Sequence, residues 1–192
     1  MSRRTRVAGV LAATAALLAL APALAPSALA ATGAQPPAGA FGLGDSVMAG
    51  ARHELAARGF TRVDAATSRQ SYVGPSRIRR AGAALPQAVV IHLGTNGSYP
   101  LDVCRRMVDL AGASRQVFLV TVHAPVRWKR ADNDVIRRCA SSYDDGHVHV
   151  VDWDAAASAH PAWLYADHTH LRPVGARAYA DLLATAVTST RH

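Results

Sequence analysis

The sequence predicts an α/β protein built around a mostly parallel sheet of five strands with helices on both faces. Two observations lead to this fold class. Short apolar runs alternate along the chain with segments of helical periodicity, and such alternation is typical of parallel sheets. The clearest run, "AVVIHLG" at 88–94, is rich in β-branched residues and closes on a glycine. That composition indicates a strand buried on both faces.

The individual elements follow from composition and end signals. Apolar or alternating runs predict strands at 40–44, 60–67, 88–94, 116–122 and 147–153. Helical spacing of apolar residues predicts helices at 46–59, 76–85, 101–112, 131–143 and 172–188. Gly59 is a stop signal for the first helix, and Pro173 lies in the first turn of the last. Asp132 or Asn133 is a candidate cap for the fourth helix.

The first thirty residues have the layout of a secretory signal peptide. A basic start, Arg3-Arg4 and Arg6, is followed by an Ala/Leu-rich stretch and by Ala-Leu-Ala at 28–30. Pro22 and Pro26 interrupt the apolar stretch, which favours cleavage over a transmembrane anchor. Residues 31–39 are Pro/Gly-rich and predict a flexible leader, and 40–192 form one domain. We therefore expect a secreted, extracellular protein with no stable membrane anchor after cleavage; the export route stays open.

The chain is basic, with a net charge of +8, and it keeps +5 when the three arginines of residues 1–30 are removed. Besides solubility, this charge predicts attraction to anionic cell-wall polymers or membrane surfaces. Nucleic acid is disfavoured as a partner, because export argues against it and the basic residues do not interleave with aromatics.

The only two cysteines are Cys104 and Cys139. In an exported protein an even pair favours a disulfide over two buried thiols. Closing a loop of this length stabilises a fold by about 3–4 kcal/mol.

Polar residues follow two of the predicted strands and precede the last helix, and the parallel topology predicts that these three segments meet at the edge where ligands bind. Ser46 follows the first strand, so its hydroxyl is exposed and its N–H lies at a helix N-terminus; the alternative is a helix-capping serine. Asn96 in "GTNG" offers an amide donor, or forms a simple turn. Asp167 lies three residues before His170, where a carboxylate can orient an imidazole; the alternative is a polar loop capping the last helix. Together they are the parts of a serine hydrolase.

Three blocks, "GDS" (44–46), "GTN" (94–96) and "DHTH" (167–170), resemble the SGNH/GDSL family of esterases and acyltransferases. The resemblance implies a three-layer α/β/α, flavodoxin-like fold. It implies Ser46 as nucleophile, His170 as general base and Asp167 as its orienting partner. Asn96 and the Ser46 N–H would form the oxyanion hole, and no metal or organic cofactor is required.

A narrower likeness covers "GDSVMAGA", "VVIHLGTNG" and "DHTHLRPVGARAYA". These segments look like the extracellular SGNH domain of acyltransferase-3-fused membrane proteins, which acetylate cell-wall polysaccharides. The sequence departs from them in lacking a multi-span membrane half, which favours hydrolysis over transfer. It departs again in the second block, where the subgroup has a glycine before Arg-Gln and this chain has Ser68. Ser68 is therefore the predicted backbone donor there, with Gly74 as the alternative.

Four further residues are weaker candidates. Arg69 could hold a substrate carboxylate or orient the oxyanion loop, against the default of a surface arginine. Trp128 could stack on a sugar ring, against the alternative of a core or rim aromatic. His147 and His149 have the spacing of a zinc pair, but surface histidines are favoured and no metal is predicted.

The sequence thus predicts an exported serine esterase that acts on an acetyl or other small ester, with acylated carbohydrate as the expected substrate. One alternative is O-acetyl transfer to a wall polysaccharide. Another is a wall-binding module without chemistry, which the complete set of Ser46, Asn96, Asp167 and His170 argues against.

Overall fold

The computed structural model describes residues 39–190, so the predicted signal peptide (1–30) and all of the predicted leader except Gly39 lie outside the described residues. Five strands form one parallel sheet in the order β2-β1-β3-β4-β5, as predicted. The strands are β1 (Ala40–Gly44), β2 (Phe60–Ala65), β3 (Ala88–His92), β4 (Gln116–Val120) and β5 (Val148–Val151). This strand order is flavodoxin-like, and it places a ligand crevice where β1 and β3 lead in opposite directions across the sheet.

Seven helices connect and follow the strands in the described part of the chain. They are α1 (Ser46–Gly50), α2 (Arg52–Ala56), α3 (Gly74–Ala81), α4 (Leu101–Ala111), α5 (Lys129–Ala140), α6 (Trp153–Ala159) and α7 (Pro173–Ser189). Short 3₁₀ turns lie at Ser71–Val73, Gly82–Ala84 and Pro161–Trp163. None of the helices within 39–190 is long and apolar enough to cross a bilayer.

Two apolar cores lie on opposite faces of the sheet, which makes the protein a three-layer sandwich. Because side chains alternate along a strand, Val90 of β3 packs into the core under α1, α2, α6 and α7, whereas Val89 and Ile91 pack into the core under α3, α4 and α5. Both faces are therefore covered, as the apolar strand sequences predict.

The predicted disulfide is present and joins the first half of α4 to the end of α5. Cys104 and Cys139 are fully buried, with Cα atoms 6.3 Å apart. It therefore fixes two neighbouring helices of the same layer.

Three predicted boundaries are wrong. The helix at 46–59 is two short helices, because the Ala51 N–H bonds to Met48 O in a tighter turn. Trp153 does not end the last strand: the Asp152 carboxylate caps a new helix, α6, by accepting the Ala155 N–H at 3.1 Å. α5 begins at Lys129, so neither Asp132 nor Asn133 caps it; both are buried in its first turns.

Candidate active site

Ser46 is presented by the turn from β1 into α1. Asp45, which is fully buried, caps the helix by accepting the Val47 N–H at 3.0 Å. The alternative of Ser46 as the cap is therefore wrong. As the first residue of the helix, Ser46 has an N–H with no helical carbonyl to bind. Its hydroxyl and N–H thus lie together at the carboxyl edge of the sheet.

A chain of hydrogen bonds links Ser46 to the loop before α7. His170 Nε2 lies 3.0 Å from Ser46 Oγ, and His170 Nδ1 lies 2.7 Å from Asp167 Oδ2. Because a carboxylate only accepts, the Nδ1 hydrogen points to Asp167 and Nε2 is left to accept the serine hydroxyl proton. The structure thus brings together three side chains separated by up to 124 positions.

The Asp167 carboxylate is held ionised by the turn that contains it. The N–H and the ring of His170, together with the Thr169 N–H, donate to it and lower its pKa to about 2. The turn is closed by the Tyr165 N–H, which donates to His170 O at 2.9 Å. This segment does not cap α7, which begins at Pro173 without a side-chain cap. It forms a closed platform for the acid and the base.

Asn96 lies in the loop after β3, beside the loop after β2. Its Nδ2 donates to Arg69 O at 3.3 Å, and the neighbouring Thr95 N–H points at Asp45 Oδ2, 3.4 Å away. An amide carries two hydrogens, so one remains for a ligand. The buried Asp45 therefore connects the Ser46 turn to the Asn96 loop.

The two candidate donors of the second block are in different settings. Ser68 has φ +56°, in the left-handed region that glycine adopts most easily. A glycine at this position would therefore fit without strain. The Gly74 N–H already donates to Ser71 O, and a Cβ at Gly74 would collide with Met107. Gly74 serves close packing of α3 against the core.

Arg69 is largely buried and is paired with Asp64. Only 8% of the residue is exposed, and its Nη2 lies 2.8 Å from Asp64 Oδ1 while Nη1 donates to Asp64 O. The default of a surface arginine is wrong, and the guanidinium ties the loop after β2 to that strand, which agrees with the predicted role of orienting this loop. Binding of a substrate carboxylate by Arg69 stays a prediction. Trp128 is partly buried, and its Nε1 donates to Gly94 O at 2.9 Å.

The paired histidines near β5 have protein partners. His147 is buried and bonds to the Asp145 carboxylate, and His149 Nε2 lies 2.7 Å from Gln116 Oε1. The expectation of two surface histidines is therefore wrong for His147. Within residues 39–190, no cluster of three or more His, Cys, Asp or Glu side chains could hold a metal ion.

Two functional-site neighbours were not predicted. The position of Asp45 could have predicted its role, since an acid between a strand-ending glycine and a helix is well placed to cap that helix. The sequence could also have indicated His92, as the polar residue inside "VVIHLG". It is fully buried, its Nδ1 lies 2.8 Å from the Tyr179 hydroxyl, and its carbonyl accepts the Asp45 N–H. His92 thus lies directly beneath the Ser46 turn.

Comparisons with known proteins bear on the fold. No protein-family model matches the chain. O-acetyltransferase OatA of Staphylococcus aureus is 33% identical over 97 residues, which is 50% of this chain and 16% of that protein. The C-terminal catalytic domain of peptidoglycan O-acetyltransferase A from Streptococcus pneumoniae superposes with a TM-score of 0.67 at 22% identity, over 81% of this chain and 96% of that one.

An esterase also superposes on this chain over most of its own length. The Clostridium thermocellum family 3 carbohydrate esterase gives a TM-score of 0.63 at 14% identity and covers 77% of this chain and 94% of that one. The fold is that of the SGNH hydrolases. The predicted resemblance is confirmed, and the SGNH sheet explains why the Ser46, Asn96 and Asp167–His170 segments meet. The chain spans about one sixth of the curated OatA relative's length.

Proposed function

We propose that this chain is a secreted serine esterase of the SGNH type that cleaves an acyl ester, with acetyl as the proposed acyl group, through an acyl-enzyme. The observation that carries the proposal is the continuous hydrogen-bond chain from Ser46 Oγ through His170 to Asp167, with distances of 3.0 and 2.7 Å. A serine hydroxyl becomes a useful nucleophile only when a base can take its proton, and this arrangement supplies that base.

In the first half of the reaction, Ser46 Oγ attacks the acyl carbonyl carbon and its proton passes to His170 Nε2. The negative charge on the carbonyl oxygen is stabilised by the N–H groups of Ser46 and Ser68 and by Asn96 Nδ2. Ser68 is preferred to Gly74 as the second donor, because the Gly74 N–H is engaged by Ser71 O. The intermediate collapses as His170 returns the proton to the leaving alcohol, and the acyl group stays on Ser46.

In the second half, water attacks the acyl-enzyme while His170 Nε2 takes one of its protons. Collapse of the second intermediate breaks the bond to Ser46 Oγ, which regains its proton from His170, and releases the acid. Asp167 stays ionised throughout and stabilises the imidazolium, in keeping with its pKa of about 2.

Acetylated carbohydrate is the proposed substrate class. Support comes from two similar proteins. One is an O-acetyltransferase that is similar in sequence, and the other is a carbohydrate esterase that is similar in fold. The signal-like residues 1–30 support an extracellular location, and the basic charge supports contact with anionic wall polymers.

Transfer to a wall glycan is the second candidate. The sequence match to OatA favours it. It requires only that an acceptor hydroxyl replace water in the second half-reaction, so the same residues would serve both activities.

The deciding experiment measures hydrolysis of p-nitrophenyl acetate by the wild type and by Ser46→Ala. We expect a loss of about 10⁴-fold or more in kcat, because the nucleophile is removed. Ser76→Ala is the matched control, since the Ser76 hydroxyl is exposed and bonds only to Val73 O among the described residues. Equal rates for wild type and Ser46→Ala would refute the proposal.

A second assay separates the two candidates. Purified enzyme is given p-nitrophenyl acetate with and without a soluble glycan acceptor, and acetylated glycan is followed by mass spectrometry. Release of acetate alone supports hydrolysis, whereas acetylated glycan that depends on Ser46 supports transfer.

A further inference from the structure

The loop that carries Asn96 is held at both ends by the start of α5 and by Trp128, the residue directly before that helix. At the first end, Trp128 Nε1 donates to Gly94 O at 2.9 Å. At the other end, the Tyr99 N–H donates to Asp132 Oδ1 at 3.0 Å. Asp132 is 3% exposed, so this bond is shielded from water and is costly to break.

The same helix also limits where the loop can lie. Gly94 has φ +119°, and a Cβ there would lie 2.8 Å from Val122 Cγ2 and 3.2 Å from Asp132 Oδ2. On the opposite side, Ser71 Oγ donates to Ser98 O at 2.8 Å. The loop is thus fixed between α5 on one side and the segment after β2 on the other.

Asn96 itself has only a long contact to hold it. Its Nδ2 lies 3.3 Å from Arg69 O, near the upper limit for a hydrogen bond. An oxyanion donor must lie within about 2.7–3.1 Å of the developing charge, and functional groups lose efficiency when displaced by more than about 0.5 Å. The position of this amide therefore depends on the backbone of its loop.

We propose that Trp128 and Asp132 are positioning residues that clamp the 94–99 loop and so place Asn96 for oxyanion stabilisation. The indole of Trp128 acts here through its N–H on Gly94 O rather than as a sugar platform. The catalytic part of this inference rests on the proposed function, whereas the clamp itself is a property of the fold.

Asp132 offers a sharp test because its charge is not needed for the clamp. Burial raises the pKa of its carboxyl group, and within the described residues Oδ2 has no hydrogen-bond partner. An asparagine keeps the shape and the oxygen that accepts the Tyr99 N–H, whereas a leucine removes that acceptor. Asp132→Asn should therefore preserve the clamp and Asp132→Leu should break it.

Hydrogen–deuterium exchange tests the clamp without any need for turnover. We expect the amides of 94–99 to exchange at least about tenfold faster in Trp128→Phe and Asp132→Leu than in the wild type, since local opening is no longer opposed. Asp132→Asn and the exposed same-helix control Asp134→Leu should match the wild type. Unchanged exchange in Trp128→Phe would overturn the clamp, even if Asp132→Leu fails to fold.

Kinetics test the catalytic part through a double-mutant cycle with Asn96→Ala. With p-nitrophenyl acetate we expect Trp128→Phe to lower kcat by about 10–100-fold with KM nearly unchanged, because only the charged intermediate needs the donor. In the Asn96→Ala background the same substitution should cost less than about threefold, because its effect passes through Asn96. Additive losses would overturn the positioning role. If the wild type shows no Ser46-dependent turnover, the proposed function fails, and the exchange rates still decide the clamp.

Discussion

Asp167 accepts hydrogen bonds from two main-chain N–H groups and from the ring of His170. This one carboxylate therefore shapes its turn and orients the imidazole, the proposed base, at the same time. The two tasks use different oxygens: Oδ1 accepts the main-chain donors and Oδ2 accepts the ring N–H. The structural task can thus be kept while the catalytic task is removed.

Asp167→Asn separates these tasks. Its carbonyl oxygen can still accept the N–H groups of Thr169 and His170, so we expect an unchanged circular dichroism spectrum. Its NH₂ group cannot accept from His170 Nδ1, so the imidazole turns to the wrong tautomer and kcat should fall by about 10⁴-fold. His168→Asn is the control, because its left-handed φ of +53° is tolerated by asparagine. A loss below tenfold in Asp167→Asn would show that the orienting role is misassigned.

The α4–α5 pair connects packing to the active site. The disulfide fixes the later part of α5, and the first turns of α5 hold the loops after β3 and β4 through Asp132 and Asn133. Covalent cross-linking in the helix layer therefore supports the loops at the sheet edge.

Replacing both cysteines by serine tests the contribution of this cross-link. The loop spans 35 positions, and chain entropy predicts that the free energy of unfolding falls by about 3–4 kcal/mol. Urea denaturation of wild type and Cys104→Ser/Cys139→Ser gives this difference. The wild type in a strong reductant should behave like the double variant; a difference below about 1 kcal/mol would mean that packing alone holds the two helices.

The inner strands β1, β3 and β4 were predictable because both of their faces are buried, which requires a continuous apolar run in the sequence. The site was predictable because the parallel topology brings Ser46, Asn96 and His170 to one edge. The end of the last strand near Trp153 could not be predicted from the sequence, since an apolar residue suits a strand end and a helix start alike. The burial of Arg69 could not be predicted either. Its partner Asp64 lies on a strand that the sequence indicated only through alternation of apolar and polar residues. Long-range pairs of this kind leave no local pattern.

The buried histidine His92 contributes to the pH dependence of stability. Burial lowers the pKa of His92 from 6.5, and this effect exceeds the opposing attraction of Asp45. Between its lowered pKa in the folded state and about pH 6.5, this histidine binds a proton in the unfolded chain but not in the folded chain. The free energy of unfolding therefore rises with pH up to about 6.5 and then levels off.

His92→Gln tests this pH dependence while leaving a polar partner for the Tyr179 hydroxyl. We expect the variant to be less stable at neutral pH but to show a shallower fall between pH 7 and pH 5 in urea denaturation. The slope is the decisive quantity, because a packing defect alone lowers both ends equally. Parallel curves for the two proteins would contradict the assignment of His92 as a buried neutral group.

The openness of the acid–base pair has a consequence for the fate of the acyl group. The side chains of His170 and Asp167 are 49% and 50% exposed, so bulk solvent reaches the base directly. Under the proposed mechanism, water can therefore reach the acyl-enzyme after the first alcohol has left. Only an alcohol already bound next to the imidazole could compete with water for the acyl group. The local concentration of that alcohol would set the ratio of released acid to new ester.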